Sequence, residues 1–255
     1  MKKLIFRALS LENYLRLLQR GFFISYRLGL LKRSPEYVYH YFDKKLINKG
    51  DTVIDIGANL GYYSKLFSKW VGNEGRVYSV EPIKLYNKIF SEATRRCKNI
   101  TLLPYALGLE EKDITLVTSS KSGYLSTGLP HVYDPKRDGS FENQAFKFDA
   151  KMKIPAELFK SIERIDYIKC DIEGFEYTVL SDMEPIIAKH KPKVQVEVWG
   201  DNKDKILSLF ESLNYIPYKL SNGKLTSDKK QIANLNGDYI FIHINDLPDS
   251  SLIWE

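Results

Sequence analysis

Cysteine is scarce in this chain, with only Cys97 and Cys170 among 255 residues. Two cysteines build no disulfide framework and suit a reducing compartment. Histidine is scarce too: there are four (His40, His131, His190 and His243), and none has the Cys/His spacing of a zinc finger. No apolar run reaches the about 18 residues of a membrane-spanning helix. Arg7 interrupts the stretch where a signal peptide would carry its apolar core. No repeat and no low-complexity tract occurs. What remains is an ordinary globular composition, 44% hydrophobic and 27% charged, with enough length for one α/β domain plus an extra segment.

The net charge of +6 is unevenly spread. Residues 1–33 carry eight basic groups (Lys2, Lys3, Arg7, Arg16, Arg20, Arg27, Lys32, Arg33) against Glu12 alone, which leaves the rest near neutral. A basic arm on a neutral domain argues against a nucleic-acid groove spread over the fold, so no nucleic-acid partner is expected. Within the arm, Leu4, Leu11, Leu15, Leu18 and Phe22 recur at close to helical spacing, widened by Tyr14, Leu17, Ile24, Leu28 and Leu31. Either a helical pair packs on the domain with its cations in water, or a basic amphipathic surface makes peripheral contact with anionic membrane. Residues 34–48 are expected to add one more helix, so the N-terminal helical segment is drawn as 1–48 and the main domain as 49–255.

The most informative stretch is Asp51-Thr-Val-Ile-Asp-Ile-Gly-Ala-Asn-Leu-Gly61, with Glu81-Pro82 twenty residues on. Thr52 to Ile56 reads as a buried strand, Gly57 to Gly61 as a tight turn, and Tyr62 to Trp70 as a helix. A glycine turn lets a ligand approach the backbone, and helix-start N–H groups favour a negative group. A second strand, Arg76 to Val80, delivers Glu81 where a carboxylate accepts hydrogen bonds from ribose hydroxyls. The expected ligand is an adenosine compound. The spacing Asp55-x-Gly57-x-Asn59-x-Gly61 differs from the dinucleotide pattern Gly-x-Gly-x-x-Gly. Asn59 takes the middle glycine's place, and asparagine tolerates positive φ. Asp55 is positioned to hold the loop and to face an ammonium group.

Further strands are read at 99–103, 113–118, 145–148, 165–170, 193–199, 215–220 and 238–244, with helices at 83–97, 156–162, 175–189 and 203–213. Pro104-Tyr105-Ala106 follows the third strand, where an adenine would be contacted. The polar stretch 119–143 is long for a loop and reads as a lid or acceptor-binding loop. Strands alternating with helices give a doubly wound, mostly parallel sheet, Rossmann-like, with antiparallel C-terminal strands and an N-terminal helical extension.

Taken together, Asp55 to Gly61 with Ser64, Glu81-Pro82, Ala106, the run Ile168-Lys-Cys-Asp-Ile-Glu-Gly-Phe-Glu176 with Val179-Leu180, and Glu197 resemble the FkbM family of S-adenosylmethionine-dependent methyltransferases, of the class I type, over roughly residues 50–200. The resemblance implies methyl transfer to a hydroxyl oxygen on a sugar or a polyketide-type product. It also implies S-adenosyl-L-methionine held by Asp55, Gly57, Ala58, Asn59, Gly61, Tyr62, Glu81, Pro82, Tyr105, Ala106 and Asp171. A glycan or polysaccharide precursor is the leading acceptor and a small secondary metabolite the alternative. An NAD-binding oxidoreductase, disfavoured by the glycine spacing, and an inactive scaffold are the other classes. The expected location is cytoplasmic, with peripheral contact at the inner membrane surface through residues 1–33. Oligomeric state is not legible.

A hydroxyl nucleophile gains from a base within hydrogen-bond reach. Asp171 and Glu173 follow one strand and Glu197 ends the next, at the sheet edge where ligands gather. The blander reading makes Asp171 a helix cap and Glu176 a first-turn acid. His131, in the long loop, is a further candidate base. Three acids near one point also suit a divalent cation, though no metal is assigned. Lys169 is expected to pair with a neighbouring acid, Cys170 to fill the core, and Trp199 to wall the site or pack inside.

Overall fold

Short β-branched and aliphatic runs form the strands, and Thr52–Ile56, Arg76–Val80, Tyr167–Cys170 and Lys193–Val198 each lead through a turn into a helix. The computed structural model describes residues 6–118, 125, 127–200, 202–228 and 236–253; the expectations for Lys2, Lys3 and Leu4, and for the start of the long loop at 119–124, lie outside these. Helix α1 (Leu11–Arg27) is capped by Ser10. Strand β1 (Thr52–Ile56) leads into α2 (Tyr62–Val71), and β2 (Arg76–Val80) into α3 (Lys84–Thr94), followed by β3 (Ile100–Leu103). Next come β4 (Ala106–Leu107), β5 (Lys112–Thr118), β6 (His131–Val132) and β7 (Phe146–Lys153). The chain then returns through β8 (Tyr167–Cys170), α4 (Glu176–Asp182), α5 (Glu184–His190), β9 (Lys193–Val198), α6 (Asn202–Ser212), β10 (Tyr215–Ser221), β11 (Lys224–Thr226) and β12 (Gly237–His243).

Eight strands form the main sheet in the order β11-β10-β12-β9-β8-β1-β2-β3. β3, β2, β1, β8 and β9 run parallel, while β12 pairs antiparallel with both β9 and β10. This is the doubly wound α/β sheet with an antiparallel C-terminal end that the sequence predicts. The strand order reverses between β1 and β8, and ligands of open α/β sheets sit outside the carboxyl ends at such a reversal.

Four expectations need correction. Residues 34–48 do not make one helix but three short pieces, Pro35–Tyr37, Tyr39–Phe42 and Asp43–Lys45. Tyr, Val, His and Phe are weak helix formers, and Tyr39 is tied to the sheet by its hydroxyl, which donates to the Asp238 carbonyl. The expected helix 175–189 breaks at Met183, because Pro185 has no N–H to give and starts a new helix. β4 to β7 form a second four-stranded sheet, order β4-β7-β5-β6, that the sequence reading does not assemble. The long loop is not wholly irregular, since it contains β6 and a helical turn at Pro135–Asp138.

Helix α1 belongs to the core. Its Tyr14 and Leu15 are buried with Leu60, Ile83, Tyr86 and Ile89, and this cluster reaches the second sheet through Leu116 and Ala150. Gln19 donates to the carbonyls of Leu60 and Ile89, and Arg16 donates to Glu92 on α3. Among the described residues no helix is long and apolar enough to cross a membrane.

Candidate active site

The turn after β1 is shaped by what surrounds it. Gly57 has φ +84°, and a Cβ there would lie 1.9 Å from the Asp171 carbonyl oxygen, so the turns after β1 and β8 meet through a gap only glycine leaves. Asn59 has φ +51°, as its residue type allows. Its N–H donates to Glu81 Oε2 (2.9 Å), its Nδ2 donates to the Thr127 carbonyl (2.9 Å), and its Oδ1 accepts from the Leu60 N–H (2.8 Å). Gly61 sits against the Phe90 ring, where a Cβ would meet a carbon at 2.8 Å.

Glu81, only 5% exposed, stands at the end of β2. Its Oε1 accepts from the Ile83 N–H (2.8 Å), so each oxygen carries one backbone donor and keeps a lone pair for a ligand. Burial pushes its carboxyl up to about 7, against the pull of the two N–H groups.

Asp55 lies behind this turn. It is fully buried, and its Oδ2 accepts from Ser64 Oγ (2.5 Å), which in turn accepts from Ser79 Oγ (2.9 Å). Its Oδ1 has no hydrogen-bond partner. Burial raises its pKa and the nearby Lys169 ammonium opposes the rise. Asp55 therefore ties the end of β1 to α2 through Ser64, and it is not in the cavity wall.

On the other side of the strand reversal, Lys169 Nζ donates to Asp171 Oδ2 (2.9 Å) and lies 4.7 Å from the Tyr63 ring centre. Burial disfavours its charge, but Asp171 and Asp55 outweigh that and hold the ammonium above its ordinary range. Lys169 thus pairs with a neighbouring acid, as the sequence predicts. Asp171 is the partner in that pair and not a helix cap; the residue before α4 is Phe175, which makes no side-chain cap bond.

Carboxylate oxygens of Asp171, Glu173 and Glu197 lie within 4.8 Å of one another. Burial lifts Glu173 to about 8, reinforced by Asp171 and Glu197. Burial and then Asp171 lift Glu197 to about 7. Glu173 has φ +58°, a left-handed conformation that is strained for a non-glycine residue. Glu176 supports this conformation by accepting from the N–H groups of Ile172 (2.9 Å) and Gly174 (3.0 and 3.1 Å). Its role as loop brace goes beyond the first-turn role read from the sequence.

A cavity of about 860 Å³ opens over both turns. Its wall brings together Gly57, Ala58, Asn59, Tyr62, Glu81, Pro82, Tyr105, Ala106, Asp171, Glu173 and His131; Gly61 and Glu197 stand outside the wall. His131 has both ring nitrogens engaged: Nδ1 donates to the Leu129 carbonyl (3.0 Å) and Nε2 meets Asp138 Oδ1 (2.8 Å). Both nitrogens are thus turned to groups of its own loop. Trp199 is 57% exposed, which rules out core packing.

Sequence reasoning misses the residues that the N-terminal segment adds to the wall, among them Leu18, Phe22, Tyr37 and His40. His40 stacks on Tyr63 at 3.8 Å, and burial pushes its pKa down to about 3, so it is neutral. The density of aromatic residues between Tyr37 and Phe42 is the one trace of this role in the sequence.

Compared with known proteins, residues 55–217 match the family model described as Methyltransferase FkbM domain. The chain is 26% identical, over 146 residues, to a ribosomal RNA large subunit methyltransferase E from Bdellovibrio bacteriovorus, which covers 50% of this chain and 74% of that protein. Among solved structures it is similar to methyltransferase FkbM from Methylobacillus flagellatus (17% identity, TM-score 0.48, 75% of this chain and 43% of that one). It is also similar to an S-adenosylmethionine-dependent O-methyltransferase from Thermotoga maritima (12% identity, TM-score 0.44, 85% and 69%).

Proposed function

The chain belongs to the FkbM methyltransferase family, and from that premise we propose that this S-adenosylmethionine-dependent enzyme methylates a hydroxyl oxygen on a sugar of a glycan or polysaccharide precursor. The observation that carries the reading is the carboxylate group Asp171, Glu173 and Glu197 beside the cavity, with two members lifted toward neutrality. A base whose pKa lies near the working pH is well matched to removing a hydroxyl proton as that oxygen becomes a nucleophile. The cluster also supplies acceptors for the vicinal hydroxyls of a sugar.

The cofactor's fit rests on the glycine gap at Gly57 and on the free lone pairs of buried Glu81. Glu81 would accept from ribose hydroxyls, and Gly57 to Asn59, Tyr105 and Ala106 would hold the rest of the nucleoside. The bound sulfonium supplies an electrophilic methyl group. The chain's own residues would supply position and proton transfer: Asp171 is held by Lys169, and Glu173 or Glu197 would take the proton of the acceptor hydroxyl. Leu18, Phe22 and Tyr37 close the acceptor side.

The experiment is turnover to S-adenosylhomocysteine over a panel of sugars, glycan precursors, small phenols and an RNA oligonucleotide. Glu173→Gln and Glu197→Gln are expected to lower kcat at least about a hundredfold while S-adenosylhomocysteine affinity stays within about twofold. Full activity of both variants on the best acceptor removes the carboxylate mechanism. Turnover on RNA alone removes the glycan assignment.

A further inference from the structure

A second cavity, of about 1210 Å³, lies on the far side of α1, which lines both. Its charge is all of one sign. Arg27 and Lys32 come from the end of α1 and the turn after it, Lys65 and Lys69 from α2, Arg76 from the start of β2, and Arg96 and Lys98 from the turn before β3. No acidic residue is in its lining, and none of these seven cations is in an ion pair among the described residues. Separated segments that converge seven cations without a counter-charge leave a field that an anionic partner satisfies. At the same end of α1, Ile24, Leu28 and Leu30 are 60, 66 and 69% exposed. Large apolar side chains beside a basic groove match a surface that is anionic outside and apolar just beneath.

We propose that this groove docks the protein on an anionic phospholipid bilayer. Headgroup phosphates sit among Lys65, Lys69, Arg96 and Lys98, and Leu28 and Leu30 enter the interface. The groove extends the amphipathic arm read from the sequence, because five of its seven cations come from beyond residue 33. Single-stranded nucleic acid fits less well. It needs aromatic faces on which bases stack, and here Lys65 lies 4.5 Å over the Phe23 ring while Tyr41 is stacked on Tyr26 at 4.4 Å and has Lys32 at 5.9 Å.

The test is vesicle co-sedimentation of the full chain with mixed phosphatidylglycerol and phosphatidylcholine, against phosphatidylcholine alone. Binding to the anionic vesicles only is expected, weakening with salt. Lys69→Gln/Lys98→Gln removes two exposed cations and is expected to weaken partition about thirtyfold. Leu28→Ser/Leu30→Ser is expected to weaken it about tenfold or more, and Lys151→Gln/Lys224→Gln, outside the groove, to leave it unchanged. All these positions are exposed, and circular dichroism confirms folding. Absence of binding to anionic vesicles overturns the proposal, as does binding that the Lys69/Lys98 pair leaves intact. Binding of a single-stranded RNA oligonucleotide that depends on that pair, with vesicle binding independent of it, overturns it in favour of nucleic acid.

Discussion

Gly57 and Glu81 show how much of the site rests on single residues. Alanine at 57 would place its Cβ 1.9 Å from the Asp171 carbonyl and keep φ at +84°. Neither loop has room to yield without moving the carboxylates behind it. Gly57→Ala is therefore expected to cost at least about 3 kcal/mol, read as a lowered melting temperature, and to abolish S-adenosylhomocysteine binding; a variant that melts and binds like the parent would mean the turn is not under this constraint. Glu81→Ala leaves the N–H groups of Asn59 and Ile83 without their acceptor and removes the proposed ribose contacts. Hydrogen bonds to a charged group contribute about 1.5–3 kcal/mol each, so affinity measured by calorimetry is expected to fall at least about tenfold. These two residues are plain in the sequence because a turn of Asp-x-Gly-x-Asn-x-Gly and a strand-end acid are local patterns.

At the scale of elements, legibility follows contact distance along the chain. Strands β1, β8 and β9 are read from apolar runs because the parallel sheet buries them on both faces, and β2 and β3 from β-branched or aliphatic residues at the sheet's edge side. The second sheet is missed although β7 carries a clear alternation, Phe146, Phe148, Ala150 and Met152, since nothing local says that these residues pair with β5 and not with the main sheet. The cavity wall supplied by the N-terminal segment is missed for the same reason. Helix α1 tests whether that segment is an appendage or part of the core. Leu15 is fully buried among Leu60, Ile83 and Ile89, and truncation of such a side chain costs about 2–5 kcal/mol. Leu15→Ala is expected to shift the single thermal transition of the whole protein. A separate low-temperature transition with the main one unmoved would make residues 1–48 an independent unit.

For the whole molecule, buried acids set the response to pH. Glu81, Glu173 and Glu197 are lifted from 4.5 to about 7, 8 and 7, so the folded state holds protons that the unfolded chain has lost. Their stabilising contribution is complete below about pH 4.5 and declines as pH rises through 7 to 8. His40 works in the opposite sense: lowered from 6.5 to about 3, it gives stability that rises with pH up to about 6.5. The two effects oppose each other in mild acid, and only the acids act above it. Stability of the unliganded protein is therefore expected to fall between about pH 6.5 and 8, read as a lower melting temperature. Ligand binding reverses part of this. If ribose hydroxyls donate to an ionised Glu81, as proposed, S-adenosylhomocysteine is expected to release a proton on binding and to bind more tightly as pH rises through 7. The ligand-induced rise in melting temperature is expected to be larger at pH 8 than at pH 6, and Glu81→Gln is expected to remove that difference while making the unliganded protein's decline shallower. A rise in unliganded stability across pH 6.5–8, or a ligand effect that Glu81→Gln leaves pH-dependent, would mean that another group controls the cavity's charge. The acid of the proposed cofactor site thus costs the empty protein stability at the pH where the proposed carboxylate base becomes active, which ties the fold's pH response to the occupancy of its site.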